Sequence, residues 1–281
     1  MEIILARHAG FCEGVEHAYR IALDSIKRNK PIYIFGDLVH NKNVVSEFKK
    51  LGIKRVEKLI NLSPGSTLII TAHGTTPRII NQAEKLRLNI VDTTCPWVKK
   101  AQRLASELTK SGRNVIIIGD RGHPEVVGLK AWAGRNARVV EKKKDLKGLR
   151  LGKKIGVVAQ TTQSVENFRD IIGELRHRIK DLAVHNTICG ATSRRQVSAK
   201  DLAKKVDMML VIGDFRSANT KRLAKLCKGV GVITHHIQNE RELKLKWLKG
   251  IKKLGITAGA STPARVIDGV LDKVNRYASK T

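Results

Sequence analysis

The sequence predicts an α/β protein of three like lobes, each with a mainly parallel sheet covered by helices. Three observations carry this. Cys12, Cys95 and Cys189 each end an apolar, strand-like run. Twenty-four residues after each stands a Gly-Asp pair (Gly36-Asp37, Gly119-Asp120, Gly213-Asp214), and twenty-eight residues after each a short polar side chain (His40, His123, Ser217). Further on, each copy runs from a strand into a small polar loop, at 69–77, 157–164 and 256–263. Two spacings shared by three cysteines mark three copies of one unit, each with one cysteine at an equivalent place.

Taken in order, a copy reads strand, cysteine turn, helix, strand, Gly-Asp loop, helix, strand, polar loop, helix. In the second copy Val98, Ala101, Leu104, Ala105 and Leu108 recur at helical spacing, and Ser111-Gly112 ends that helix. The run N-V-I-I-I-G-D that follows is apolar throughout, as in a parallel strand buried on both faces. The third copy repeats this with a helix from about Arg195 and the strand D-M-M-L-V-I-G-D. Strands alternating with helices imply right-handed crossovers and ligands gathered at the carboxyl ends of the strands. Residues 1–12 precede Cys12, whereas the strands before Cys95 and Cys189 close the preceding copy. By permutation the N-terminal strand pairs with the last copy. The expected domains are 13–95, 96–188, and 189–281 with 1–12 added.

The chain has 281 residues, 42% of them apolar. No apolar run approaches the ~18 residues of a membrane helix. The apolar start is too short for a signal peptide and is broken by Arg7 and His8. A cytoplasmic protein is expected, where a reducing environment disfavours structural disulfides. The net charge of +29 is spread over 27–30, 48–58, 141–154 and 244–253, between the repeated loops rather than in them. A solvated, lysine-rich surface is the first reading of it. Aromatics are 4% of residues, which is poor for base stacking, and no zinc-finger or RNP-type signature occurs.

Three equivalent thiolates brought to one point suit a soft metal centre. Structural zinc wants a fourth protein ligand. Cys227 is off the repeated position, in the helix T-K-R-L-A-K-L-C, and reads as core. Iron–sulfur cubanes usually take four cysteines, so three would leave one iron open. His40, His73, Ser217, Asn219 and Ser261 are neutral or weakly basic donors on loops, most of which lead into helices. Free N–H groups at such helix starts favour anions, so these five form a candidate pocket for phosphate groups. In the second copy the equivalent loop carries Glu125, where the other copies have Lys42 and Asn219. A lone carboxyl among donors is a natural proton source once its surroundings keep it protonated. No phosphate loop of the G-x-x-x-x-G-K-[ST] type and no G-x-G-x-x-G occurs, so electrons would come from an outside carrier. His235-His236 show no partner pattern and read as structural.

Nine motifs, in order over essentially the whole chain, then carry a resemblance. They are G-F-C-E-G-V (10–15), V-H-N (39–41), A-H-G (72–74), D-T-T-C-P (92–96), G-H-P-E-V-V-G (122–128), A-Q-T-T (159–162), T-I-C-G-A-T-S-R-R-Q (187–196), S-A-N (217–219) and T-A-G-A-S-T-P (257–263). The sequence resembles the LytB-type 4-hydroxy-3-methylbut-2-enyl diphosphate reductases. The resemblance implies three α/β lobes around a central iron–sulfur cluster and the last step of the non-mevalonate isoprenoid pathway. That step is reductive dehydroxylation of an allylic diphosphate to isopentenyl and dimethylallyl diphosphate. It implies one 4Fe–4S cluster per chain on Cys12, Cys95 and Cys189, whose unique iron takes the substrate hydroxyl. Glu125 would deliver the proton, with Thr161 and His123 orienting it. His40, His73, His123, Thr161, Ser217, Asn219 and Ser261 would contact substrate, and five of them (His40, His73, Ser217, Asn219, Ser261) would grip the diphosphate. An acidic carrier such as ferredoxin or flavodoxin would be steered in by the basic surface.

Two departures stand out. Ala218 replaces a hydroxyl residue or glycine, which costs roughly 0.5–1.5 kcal/mol of binding if a neutral hydrogen bond is lost. Ala264 stands where an acidic residue is common, which touches a helix cap or charge pair and not the reaction. Two other readings compete: a basic nucleic-acid-binding protein with a structural metal site, and a zinc-dependent hydrolase on the same cysteines. The first predicts affinity for nucleic acid that falls steeply with salt. The second predicts a colourless, oxygen-insensitive protein.

Overall fold

In the computed structural model, which describes residues 1–27 and 31–279, the three apolar runs before the cysteines each contribute an edge strand to one of three separate sheets. Arg28, Asn29 and Lys30 of the basic run at 27–30 lie outside the described residues. The N-terminal strand is β1 (Glu2–Leu5), followed by α1 (Glu13–Ser25). The first copy continues with β2 (Ile32–Phe35), α2 (Lys42–Lys50), β3 (Lys54–Val56), β4 (Thr67–Ile70), α3 (Pro77–Lys85) and β5 (Asn89–Asp92). The second holds α4 (Pro96–Lys110), β6 (Asn114–Ile118), α5 (Pro124–Ala133), β7 (Arg138–Val140), β8 (Lys154–Ala159), α6 (Val165–Arg178) and β9 (Asp181–Val184). The third holds α7 (Gly190–Ala203), β10 (Met208–Ile212), α8 (Ala218–Gly229), β11 (Ile233–Ile237), β12 (Lys253–Ala258) and α9 (Ala264–Ala278).

Each sheet has four parallel strands in one order: β5-β4-β2-β3, β9-β8-β6-β7 and β1-β12-β10-β11. β1 therefore takes the place that β5 and β9 take elsewhere, in register from Glu2 beside Lys253 to Leu5 beside Ile256. One element per copy goes beyond the sequence reading. Edge strands β3, β7 and β11 follow the second helix, and two of them are three residues long. Their basic residues (Lys54, Arg55, Arg138) conceal them as strands, and charge on a short edge discourages pairing with another chain.

Side chains alternate across each strand, which puts both faces to use. Met208, Leu210 and Ile212 face one core with Val266, Ile267, Val270 and Val274 of α9. Met209 and Val211 face the other, with Ala199, Leu202, Leu223, Ala224 and Cys227 of α7 and α8. The β6–β9 sheet does the same, with Ile116 and Ile118 against α6 and Val115 and Ile117 against α4 and α5. Strands sandwiched this way have no polar face, so their runs are apolar throughout.

Within the described residues the chain divides into two compact units. One comprises Met1–Glu13, His40–Val44 and Gly190–Thr281, and the other Gly14–Val39 and Val45–Cys189. No helix among the described residues is long and apolar enough to cross a membrane.

Candidate active site

Each cysteine is set by the same pair of constraints. It lies directly before a helix (α1, α4 or α7), and its N–H donates to the second residue past the inner strand β12, β4 or β8. The bonds are Cys12 to Ala260 O (3.2 Å), Cys95 to Ala72 O (3.1 Å) and Cys189 to Thr161 O (3.0 Å). All three cysteines are half-buried, and no disulfide joins any of the four. Cys227 differs: it is fully buried in α8, and burial pushes its thiol up to about 11.

The setting of Cys95 fits a thiolate that holds a bound group. A Cβ on Gly14 would lie 2.5 Å from the Cys95 sulfur, so only glycine there leaves one flank of that sulfur open. Three half-buried sulfurs at one repeated backbone position, with the fourth sealed in a helix core, match a three-cysteine set.

The unit Gly14–Val39 with Val45–Cys189 gathers the proposed proton-handling groups. His123 caps α5, its Nδ1 accepting from Glu125 N–H at 3.2 Å. Glu125 is 2% exposed. Its Oε1 accepts from Thr161 N–H (2.6 Å) and its Oε2 from the Thr161 hydroxyl (2.9 Å). Thr161 in turn accepts the Cys189 N–H through its own carbonyl. One residue thus ties the buried carboxyl group to a cysteine. The rings of His73 and His123 meet edge to face, with centroids 5.3 Å apart.

The other unit gathers the proposed anion-binding groups. Ser217 caps α8, its Oγ accepting from Thr220 N–H. Asn219, one residue into that helix, is 3% exposed. Neither side-chain amide atom of Asn219 has a hydrogen-bond partner among the described residues. A buried amide without partners is costly, so this one is arranged for something other than stability. The Ser261 hydroxyl donates to His40 O at 3.0 Å, and Lys42 N–H donates to Asp214 Oδ2 at 3.0 Å. Burial works against the charged form of Asp214, but hydrogen bonds from the Arg216 side chain and backbone outweigh it and hold its carboxyl below the usual range. The segment around His40 is thereby sewn to both loops of its unit.

The structure therefore brings His73, His123, Glu125 and Thr161 into one unit with Cys95 and Cys189. It brings His40, Ser217, Asn219 and Ser261 into the other with Cys12. Sequence reasoning missed Gln160, fully buried, whose Oε1 accepts from Asp120 N–H (3.0 Å) and whose Nε2 donates to the Thr162 hydroxyl (3.0 Å). It straps the Gly-Asp loop of the second lobe to the polar loop. Its place in the A-Q-T-T motif was the available signal.

The LytB protein family model matches residues 3–275. The 4-hydroxy-3-methylbut-2-enyl diphosphate reductase of Geobacter sp. (strain M21) is 42% identical over 275 residues, covering 98% of this chain and 97% of that one. The enzyme of the same name from Pelobacter propionicus is 41% identical over 280 residues, covering 100% of both chains. Among solved structures, the E-1-hydroxy-2-methyl-but-2-enyl-4-diphosphate reductase from Plasmodium falciparum matches with a TM-score of 0.93 at 30% identity, covering 98% of this chain and 87% of that one. A second, an (E)-4-hydroxy-3-methyl-but-2-enyl diphosphate reductase described as the terminal enzyme of the non-mevalonate pathway, matches with a TM-score of 0.72 at 38% identity, covering 98% of this chain and 100% of that one. With its motifs in order, its three parallel sheets and full-length relatives at this identity, the chain belongs to the LytB family of 4-hydroxy-3-methylbut-2-enyl diphosphate reductases.

Proposed function

We propose that this enzyme removes the hydroxyl group of 4-hydroxy-3-methylbut-2-enyl diphosphate by reduction. The C–O bond breaks and the oxygen leaves as water. Two electrons and two protons are consumed, one proton going to water and one to carbon. A new C–H bond at either end of the allylic unit gives isopentenyl or dimethylallyl diphosphate. Cys12, Cys95 and Cys189 hold one 4Fe–4S cluster per chain, which when bound supplies the electrons one at a time.

The chain's own groups do the rest. Glu125 delivers the proton that lets water leave. The Thr161 hydroxyl, both donor and acceptor, fixes that carboxyl and can relay its proton. His123 holds the start of α5 and so the position of Glu125. His40, His73, Ser217, Asn219 and Ser261 bind the diphosphate, with the first-turn N–H groups of α8 adding to the attraction. The basic surface draws in an acidic electron carrier, ferredoxin or flavodoxin, and the reaction runs in the cytoplasm.

The observation that carries this reading is the chain of bonds Glu125–Thr161–Cys189, a buried acid one residue from a cluster ligand. The test is turnover by anaerobically prepared protein given the allylic diphosphate and a reduced viologen dye. The expected result is both alkenyl products and about four irons per chain. Iron-57 Mössbauer spectra should show a minority site that responds to substrate. Cys95→Ser should lose most of the iron while Cys227→Ser keeps it. Protein without iron or turnover after reconstitution would overturn the proposal.

A further inference from the structure

His235 and His236 found no role in the sequence, yet the structure gives one of them a definite partner. In every lobe the glycine of the Gly-Asp loop donates its N–H to the last residue of the edge strand. The bonds are Gly36 to Val56 O (2.9 Å), Gly119 to Val140 O (3.1 Å) and Gly213 to Ile237 O (2.8 Å). The residue one step earlier on the edge strand lies beside the same loop, and there the lobes diverge. In the first lobe it is Arg55, whose Nε donates to Asp37 Oδ1 at 2.7 Å. In the second it is Val139, with no polar side chain to offer. In the third it is His236, whose Nε2 lies 2.9 Å from Gly213 O.

Gly213 is thus gripped from β11 on both sides, through its N–H and through its carbonyl. It sits at φ +146°, and a Cβ there would come within 2.7 Å of the Thr262 hydroxyl and 2.8 Å of the Thr220 hydroxyl. The loop has no slack at this point. Two residues on, Phe215 meets the His236 ring edge-on, with centroids 4.6 Å apart. The next residues of the loop lead directly to Ser217 and Asn219 at the start of α8.

We infer that His236 is a positioning residue: by holding the Gly213 carbonyl it sets the entry of the chain into α8, and so the placement of Ser217 and Asn219 for a diphosphate. This rests on the reading of Ser217 and Asn219 as diphosphate ligands. Because a carbonyl only accepts, the imidazole must carry its proton on Nε2. Neither substrate nor cluster touches the histidine in this role.

Two variants separate the bond from the packing. His236→Phe keeps the ring against Phe215 and removes the donor. His236→Gln keeps an N–H donor and removes the ring. The readout is calorimetric binding of inorganic diphosphate to the holoenzyme, with KM and kcat measured alongside. His236→Phe should weaken diphosphate binding and raise KM about threefold to tenfold, the range one neutral hydrogen bond supplies, with kcat nearly unchanged. His236→Gln should stay within about twofold of the parent. Equal binding by His236→Phe and the parent, or equal loss in both variants, would refute the inference. Asn219→Ala serves as the control on the pocket itself. If it leaves diphosphate binding unchanged, the pocket reading fails and takes this inference with it, whereas loss there with no effect at His236 sinks the inference alone. Nitrogen-15 NMR of the unmutated protein gives a check that needs no variant: a proton on Nδ1 rather than Nε2 at neutral pH would overturn the inference.

Discussion

The second and third lobes use one backbone plan for opposite ends. In both, an inner strand ends in a Gly-Asp loop, and the residue thirty positions past the cysteine is buried just inside the next helix. In the second lobe that residue is Glu125, and in the third it is Asn219. The partner loop differs by one side chain. The position that accepts the cysteine N–H is Thr161 in the second lobe but Ala260 in the third and Ala72 in the first. Thr161 answers Glu125 with two hydrogen bonds. Ala260 has no hydroxyl to answer Asn219, whose amide is left without a partner among the described residues. On the proposed reading, the closed pair holds and relays a proton and the open amide takes the diphosphate. The repeat supplies the place, and one side chain opposite decides its use.

Four changes probe this contrast, in falling order of effect. Glu125→Gln keeps the shape of the closed pair but removes the exchangeable proton, so kcat should fall by about 10²- to 10⁴-fold while iron content stays normal. Single-turnover product analysis checks it, and normal turnover would remove Glu125 from the proton path. Thr161→Ala turns the second lobe into a copy of the third at this position. Losing the hydroxyl that fixes the carboxyl and relays its proton should lower kcat roughly tenfold to a hundredfold. The cysteine bond to the carbonyl of residue 161 survives the substitution, so the iron should remain. Asn219→Ala should raise KM about tenfold with little change in kcat, since it removes binding that is equal in ground and transition states. A fall in kcat alone would place Asn219 in the chemistry instead. Cys227→Ala, far from either pair in role, should lower unfolding free energy by about 1 kcal/mol in denaturant titration and leave turnover unchanged.

The inner strands were legible in the sequence because burial on both faces leaves a continuous apolar run, as Asn114–Ile118 and Met208–Ile212 show. The edge strands β3, β7 and β11 were not. β3 and β7 are three residues long and carry Lys54, Arg55 and Arg138, so they merge into the basic connections around them. The equal spacings from each cysteine singled out His123, Ser217, Glu125 and Asn219 as occupants of matching loops. The match of Thr161 with Ala72 and Ala260 was hidden, since they follow their cysteines by 66, 60 and 71 residues. The connections between second helix and inner strand differ in length, and only the shared hydrogen bond reveals the equivalence. His236 was invisible for a related reason: its partner is a carbonyl, which no side-chain pattern records.

The pairing of β1 with β12 sets an order of events during synthesis. Glu2–Leu5 leaves the ribosome before the other strands described here, yet the strand it bonds to appears about 250 residues later. At roughly 5–20 residues per second the wait is roughly 12 to 50 s, long enough for the two intervening sheets to form on their own. Cys12 stays unplaced until Ala260 arrives to accept its N–H. The carbonyl partners of Cys95 and Cys189 thus precede them in the chain, whereas that of Cys12 follows it by almost 250 residues.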